Sequence, residues 1–147
     1  MGLLEALMTA DVIITVKGYH NIGGSDQEPV ITSARGKYCF RNGHHFVSYE
    51  EETVEGSAPV KSLVKFGEHF LSIHRKGDYP SRMELEEGKR NLSRYRTPAG
   101  ILEFGVEAEQ ISFREEEGLL EVEALYTLHS GDEPIQKSRV VVTVKNT

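Results

Sequence analysis

The amino-acid sequence predicts an all-β fold, an antiparallel barrel of about eight to ten strands. Three observations support this prediction. Apolar and polar residues alternate with a period of two in short runs between Asp11 and Lys145, glycine-rich turns separate the runs, and helical periodicity is almost absent between them. Alternation gives each strand one apolar and one polar face. Many short strands at regular spacing are typical of a barrel or closed sandwich.

Ten strands are predicted in succession, joined by short turns. The second and third form the most clearly marked hairpin, because Asn42 and Gly43 both tolerate the positive φ of a type I′ turn. Gly36 predicts a bulge, since the alternation continues beyond it through Tyr38 and Phe40. The predicted strands span residues 11–19, 30–37, 45–51, 60–66, 69–75, a run around 83–85, 92–97, 101–113, 119–129 and 138–145.

The two longest predicted strands indicate which residues form the core. Glu121 and Glu123 alternate with apolar residues, so these carboxylates should face solvent. The residues that share the apolar parity should be buried: Leu102, Phe104, Val106, Val122, Ala124, Tyr126 and Leu128.

The chain of 147 residues is predicted to form a single domain, residues 1–147. A domain of this length buries roughly 68–70% of its unfolded surface, so its core needs no metal or disulfide. Residues 1–10 form an N-terminal extension in which Leu3, Leu4, Leu7 and Met8 make a helical stripe, and we expect a short helix against one end of the barrel. The absence of a secretion signal or a long apolar run predicts a cytoplasmic protein without membrane contact.

Charge and motif content argue against several functions. A net charge of −6 is unfavourable for nucleic-acid binding. The six histidines lack the spacing and companion ligands of a metal site, so they are interpreted as surface and turn residues, and neither a metal nor a cofactor is expected. Nucleophile elbows and phosphate-binding loops are missing, so no catalytic residue is assigned.

Several short motifs resemble the YwiB-like family of small bacterial proteins. The resemblance rests on residues 48–51 (Ser-Tyr-Glu-Glu), 73–77 (Ile-His-Arg-Lys-Gly) and 95–100 (Tyr-Arg-Thr-Pro-Ala-Gly), with Met83 between them and a looser likeness through residues 129–133. It covers nearly the whole chain. The resemblance implies a calycin-type barrel, related in shape to lipocalins, in a domain of unknown function, and it implies no activity.

Two charged residues lie on the strand face whose other residues are apolar. Glu51 follows Val47 and Tyr49 on one strand, and Arg75 ends the inward series on another. Both should point into the barrel near a rim, where an unpaired charge is costly. The two charges should therefore pair with each other or with a ligand. Tyr49 shares this inward parity, and two further tyrosines could add hydroxyl groups to the same mouth, Tyr95 and Tyr126.

The leading hypothesis is a non-enzymatic module that binds a small polar or anionic molecule at this mouth. The alternative is a protein-interaction module with a filled core, and a more remote one is a tunnel-type phosphohydrolase lined by alternating carboxylates. An enclosed void would favour a ligand, whereas a filled core would favour a protein partner. The sequence leaves the oligomeric state open, with a homodimer as one alternative.

Overall fold

The computed structural model describes residues 10–20, 28–51, 59–77 and 80–147, which form one closed antiparallel barrel. Neighbouring strands in the sequence are neighbours in the sheet, and β1 pairs with β10 to close it. The predicted all-β antiparallel barrel is therefore confirmed. The strands are β1 Ala10–His20, β2 Val30–Arg41, β3 His44–Glu51, β4 Val60–Phe66, β5 Phe70–Lys76, β6 Ser81–Glu86, β7 Arg90–Thr97, β8 Gly100–Glu116, β9 Leu119–Ser130 and β10 Glu133–Asn146.

The barrel has two ends that differ in chemistry. One end carries the turn at Asn42 and Gly43 between β2 and β3, and we call it the Asn42 end. At the opposite end, β3 finishes at Glu51 and β5 at Lys76, and we call it the Glu51 end. Antiparallel connection places the start of β1 at the Asn42 end and the start of β2 at the Glu51 end.

Apolar side chains from most of the strands fill the middle of the barrel. Valines dominate this core, as expected for half-buried strands in which β-branched residues pack well. Val122 and Ala124 are fully buried, whereas Glu121 and Glu123 on the same strand lie on the outer face, as predicted. Among the largest completely buried side chains are Val12, Ile14, Val47, Val64, Phe66, Leu71, Leu85, Val106 and Val142.

The predicted core is wrong at the start of β8. Leu102 has the inward parity but is 47% exposed, and Phe104 is only half-buried. The register pairs Leu102 with Tyr95 near the tip of the β7–β8 hairpin, beyond the apolar middle of the barrel. Parity alone therefore identified the face of the strand, but not where along the strand burial begins.

A bulge in β8 shifts its inward face by one residue. The register with β9 shifts between Ala108 and Gln110, so Ala108 and Ile111, three residues apart, are both buried. An extra residue in one strand leaves a backbone group outside the ladder. The Ile111 N–H is satisfied here by donating to the Glu87 carboxylate at 2.8 Å.

The predicted bulge at Gly36 is absent, because β2 runs through Gly36 with unbroken register to β1, and its ladder with β3 begins at Gly36 without a shift. The glycine has a packing role instead. A Cβ at this position would lie 2.7 Å from the Ser48 carbonyl oxygen and 3.3 Å from Tyr49 Cβ. Close approach of β3 to β2 therefore requires a residue without a side chain.

The predicted helix within residues 1–10 concerns residues that lie almost entirely outside the described ranges. Ala10, its last residue, is the first residue of β1. No helix long and apolar enough to cross a membrane occurs in the part of the chain that the structure describes.

Val122→Ala should lower the free energy of unfolding by about 1–3 kcal/mol, because it removes two completely buried methyl groups and leaves a cavity. Val30→Ala is the matched control, since Val30 is 64% exposed and the same substitution there should cost under about 1 kcal/mol. Urea unfolding of both variants measures the difference. Equal losses would contradict the assignment of Val122 to the core.

Gly43→Val should destabilise the protein by roughly 1–3 kcal/mol through backbone strain at the β2–β3 turn. Asn42 and Gly43 have φ angles of 55° and 78°, and a Cβ on Gly43 would contact nothing within 4 Å, so the loss would come from φ and not from a clash. Gly43→Asn is the control, because asparagine tolerates positive φ. Thermal unfolding should show a clearly smaller loss for Gly43→Asn than for Gly43→Val.

Candidate functional site

The structure brings together the two charges that the sequence placed on the apolar parity. Arg75 Nη2 lies 3.3 Å from Glu51 Oε1 at the Glu51 end of the barrel. The Glu51 side chain is 15% exposed and that of Arg75 is 40% exposed. The carboxylate is thus mostly withdrawn from water, while the guanidinium extends from the interior to the rim. This juxtaposition agrees with the expectation from the sequence.

Polar residues occupy one continuous row across the neighbouring strands. Register pairs Tyr49 with Ser62, Ser62 with Arg75 and Arg75 with Ser81. Ser81 pairs in turn with Tyr95 on β7. Five strands therefore contribute one inward polar side chain each, directly beyond the apolar middle of the barrel.

Four buried polar atoms of this row and of Glu51 make no hydrogen bond of good geometry among the described residues, although Ser62 and Arg75 are near enough to the Tyr49 hydroxyl to lower its pKa: Tyr49 Oη, Glu51 Oε1, Ser62 Oγ and Arg75 Nε. Arg75 and Glu51 form an ion pair at 3.3 Å, but the geometry at Glu51 Oε1 is not that of a hydrogen bond. Leaving a buried polar group unsatisfied costs about 1–3 kcal/mol. Buried groups in proteins normally find a partner in the protein, in water or in a ligand.

Tyr49 is nearly completely buried, because only 5% of the residue is exposed. Burial, and secondly the Glu51 carboxylate, raise the pKa of Tyr49, while Arg75 and Ser62 oppose the shift. The phenol therefore keeps its proton at neutral pH and is available as a donor.

Two of the predicted tyrosines stand apart from the ion pair. Tyr95 lies in the polar row and is half-buried. Its ring packs edge-on against Phe104, with the two ring centroids 5.8 Å apart. Tyr126 is buried on β9, which stands across the barrel from β4. Burial, and secondly Tyr95, raise the pKa of Tyr126 to about 12, and the Ser138 hydroxyl opposes the shift. The polar groups that surround the Tyr126 hydroxyl are therefore those of Tyr95 and Ser138.

Sequence reasoning missed Ser62, which is 4% exposed. The strand pattern could have identified it, since Ser62 lies on the same inward face of β4 as Val64 and Phe66. A serine within an apolar series attracts less notice than a charge, although its hydroxyl needs a partner equally when buried.

A cleft of about 720 Å³ leads to this end of the barrel. The ladder between β2 and β3 begins at Gly36 and Tyr49, so residues 30–35 of β2 pair with β1 but not with β3. The cleft lies along this unpaired segment, and Glu50 and Glu51 form its other described wall. Glu51 is therefore both an interior residue and part of the entrance.

The interpretation of all histidines as surface residues was wrong for two of the six. His45 points inward and stacks on Phe66, and His129 is 6% exposed on β9. Adjacent His44 and His45 do diverge, since His44 packs against Phe70 while His45 faces the interior. Within the described residues, no group of three or more histidine, cysteine or acidic side chains could hold a metal.

The alternating carboxylates of β9 do not line a tunnel. Glu121 pairs with Arg114 at 3.5 Å and Glu123 with Arg139 at 3.9 Å, on the outer face of the barrel. Val122 occupies the interior between them. This register removes the basis for a tunnel-type phosphohydrolase.

A family model described as a domain of unknown function (DUF1934) matches residues 14–142. The chain belongs to this family. Its barrel is similar to the crystal structure of ywiB protein from Bacillus subtilis, with a TM-score of 0.77, 21% sequence identity and coverage of 95% of this chain and 93% of that chain. No curated protein matches. The YwiB-like resemblance noted in the sequence is confirmed, and the structural likeness at this identity concerns the fold.

A double-mutant cycle on Arg75→Met and Glu51→Gln should give a coupling energy above about 1 kcal/mol, because one partner is mostly buried. The control cycle uses Arg94→Met and Glu103→Gln, an exposed cross-strand pair at 3.1 Å. Exposed pairs typically couple by about 0.2–1 kcal/mol. Coupling at Arg75 and Glu51 no larger than that of the control pair would show that the barrel rim does not strengthen their interaction.

Proposed function

We propose that this protein is a non-enzymatic module that binds a small polar or anionic molecule at the Glu51 end of its barrel. The observation that carries the proposal is the cluster of four buried polar atoms without partners, on Tyr49, Glu51, Ser62 and Arg75. An occupant that completes their hydrogen bonds would recover free energy that the unliganded site lacks.

The donor content of the cluster favours an acceptor-rich ligand. Tyr49 and Ser62 each offer a hydroxyl proton, and the unpartnered Nε of Arg75 offers a third donor. Glu51 supplies the charged acceptor of the group, and the two hydroxyl oxygens can also accept. A carboxylate or phosphate group fits three converging donors, and Arg75 adds a charge-assisted bond. Glu51 would then bind a hydroxyl or amino group on the same molecule.

The filled middle of the barrel limits this ligand to the mouth. Fully buried Val47 and Val64 lie one inward position deeper than Tyr49 and Ser62, so the polar row rests on an apolar floor. The ligand is therefore small or projects through the cleft beside β2. The proposal includes a calycin-type barrel and a cytoplasmic location.

A second candidate function is a protein-interaction module, which the filled core also favours. The β7–β8 region exposes three large apolar side chains, Leu92, Ile101 and Leu102. Leu92 and Ile101 belong to outward positions of adjacent strands. Exposed apolar groups of this kind are common at contact surfaces. A homodimer through this hairpin is one form that the interaction could take.

Anion binding at the Glu51 end is tested by thermal unfolding with inorganic phosphate or acetate at constant ionic strength. At a ligand concentration of ten times Kd, linkage predicts a rise in Tm of about 3–6 °C for a domain of this size. Arg75→Gln should abolish the rise. Lys76→Gln is the matched control, because Lys76 is the exposed neighbour of Arg75 and should leave the rise intact.

An equal loss of the effect in both variants would show general electrostatic stabilisation in place of a site. If neither anion raises Tm, and Leu92→Ser and Ile101→Ser alter the oligomeric state in sedimentation experiments, the interaction module becomes the better description.

A further inference from the structure

The opposite mouth of the barrel, at the Asn42 end, has aromatic walls. A cavity of about 800 Å³ opens there. Of the eleven described residues that line it, seven carry a phenyl, phenol or imidazole ring, two are glutamates and two are glycines. Lysine and arginine are absent from this lining. The mouth thus differs from the Glu51 end, where an arginine extends to the rim.

His45 holds the rings of this mouth in a fixed arrangement. Its imidazole stacks on Phe66 with centroids 4.9 Å apart and on Phe113 at 5.3 Å, and Phe40 packs against it at 4.8 Å. The Tyr38 hydroxyl lies 2.8 Å from His45 Nδ1, within hydrogen-bond distance. Stacked rings with a hydrogen bond at the centre form a preorganised wall, which lowers the entropic cost of binding.

The charged groups in the lining of this wall are carboxylates, while Lys65 Nζ lies 5.5 Å from the centroid of the Phe70 ring. Burial lowers the pKa of His45, so the ring is neutral at pH 7 and adds no positive charge. Burial, and secondly the Glu115 carboxylate, raise the pKa of Tyr38 to about 12, which places Glu115 close enough to act on the wall. Glu68 adds a second carboxylate at the rim. The faces of aromatic rings are themselves electron-rich.

We propose that the Asn42 end is a second ligand site, which binds an organic cation such as a quaternary ammonium or protonated amine. Aromatic faces attract such cations with about 0.5–2 kcal/mol per contact, and quaternary ammonium groups are recognised by aromatic cages. Glu115 and Glu68 supply the opposite charge. The same two carboxylates, with no basic residue in the described lining, disfavour an anion.

Choline and its neutral isostere 3,3-dimethylbutan-1-ol separate charge recognition from apolar binding. In an NMR titration of the full chain, choline should shift the amide signals of His45, Phe113 and Glu115. The neutral alcohol should bind about tenfold more weakly, since it fills the same volume without the cation–π attraction. Equal affinities, or shifts confined to other parts of the barrel, would overturn the proposal.

Glu115→Gln should weaken choline binding about fivefold, which corresponds to about 1 kcal/mol for one carboxylate near a cation. Glu117→Gln is the matched control, because Glu117 lies in the adjacent β8–β9 turn outside the lining and should change Kd less than twofold. Similar weakening in both variants would reduce the effect to net charge and refute a site at Glu115. Arg75→Gln should leave choline affinity unchanged, so this test is independent of the anion proposal.

Discussion

Strand parity is the constraint on which the whole barrel depends, because successive side chains must point to opposite faces of the sheet. A closed barrel has a dry inside and a wet outside, so a shift by one residue would exchange every core residue of a strand for a residue of its outer face. The same rule that buries Val47 continues to Glu51, and the rule that buries Ile73 continues to Arg75. The ion pair is thus the end of the core pattern, at the position where the barrel meets solvent.

The apolar middle of the barrel separates two mouths of opposite character. The Glu51 end gathers hydroxyl and guanidinium donors, and the Asn42 end gathers rings and carboxylates. Fully buried Val64 and Val142 contribute to the dry layer between them. This arrangement suits a small domain whose stability resides in the centre.

The fold and the ion pair could be predicted because both follow from a period of two. The aromatic mouth could not, since Tyr38, Phe40 and His45 converge with Phe66 and Phe113 from four different strands. Parity states which face a residue occupies, but it does not state which strands meet across the interior. Gly36 illustrates the same limit, because a glycine required by the approach of β3 has the same sequence signature as a bulge. Leu102 was wrongly assigned to the core, because burial depends on position along the barrel axis as well as on the face of the strand.

Closure of the barrel between β1 and β10 has a consequence for the protein during its synthesis. Val12 pairs with Asn146, so this ladder joins the first strand of the barrel to the last one. Until β10 emerges, the nascent chain can form at most an open sheet whose β1 and β9 edges expose unpaired backbone groups. Open edges of this kind are sites of aggregation. Both edges therefore stay open to pairing with other chains until β10 is in place.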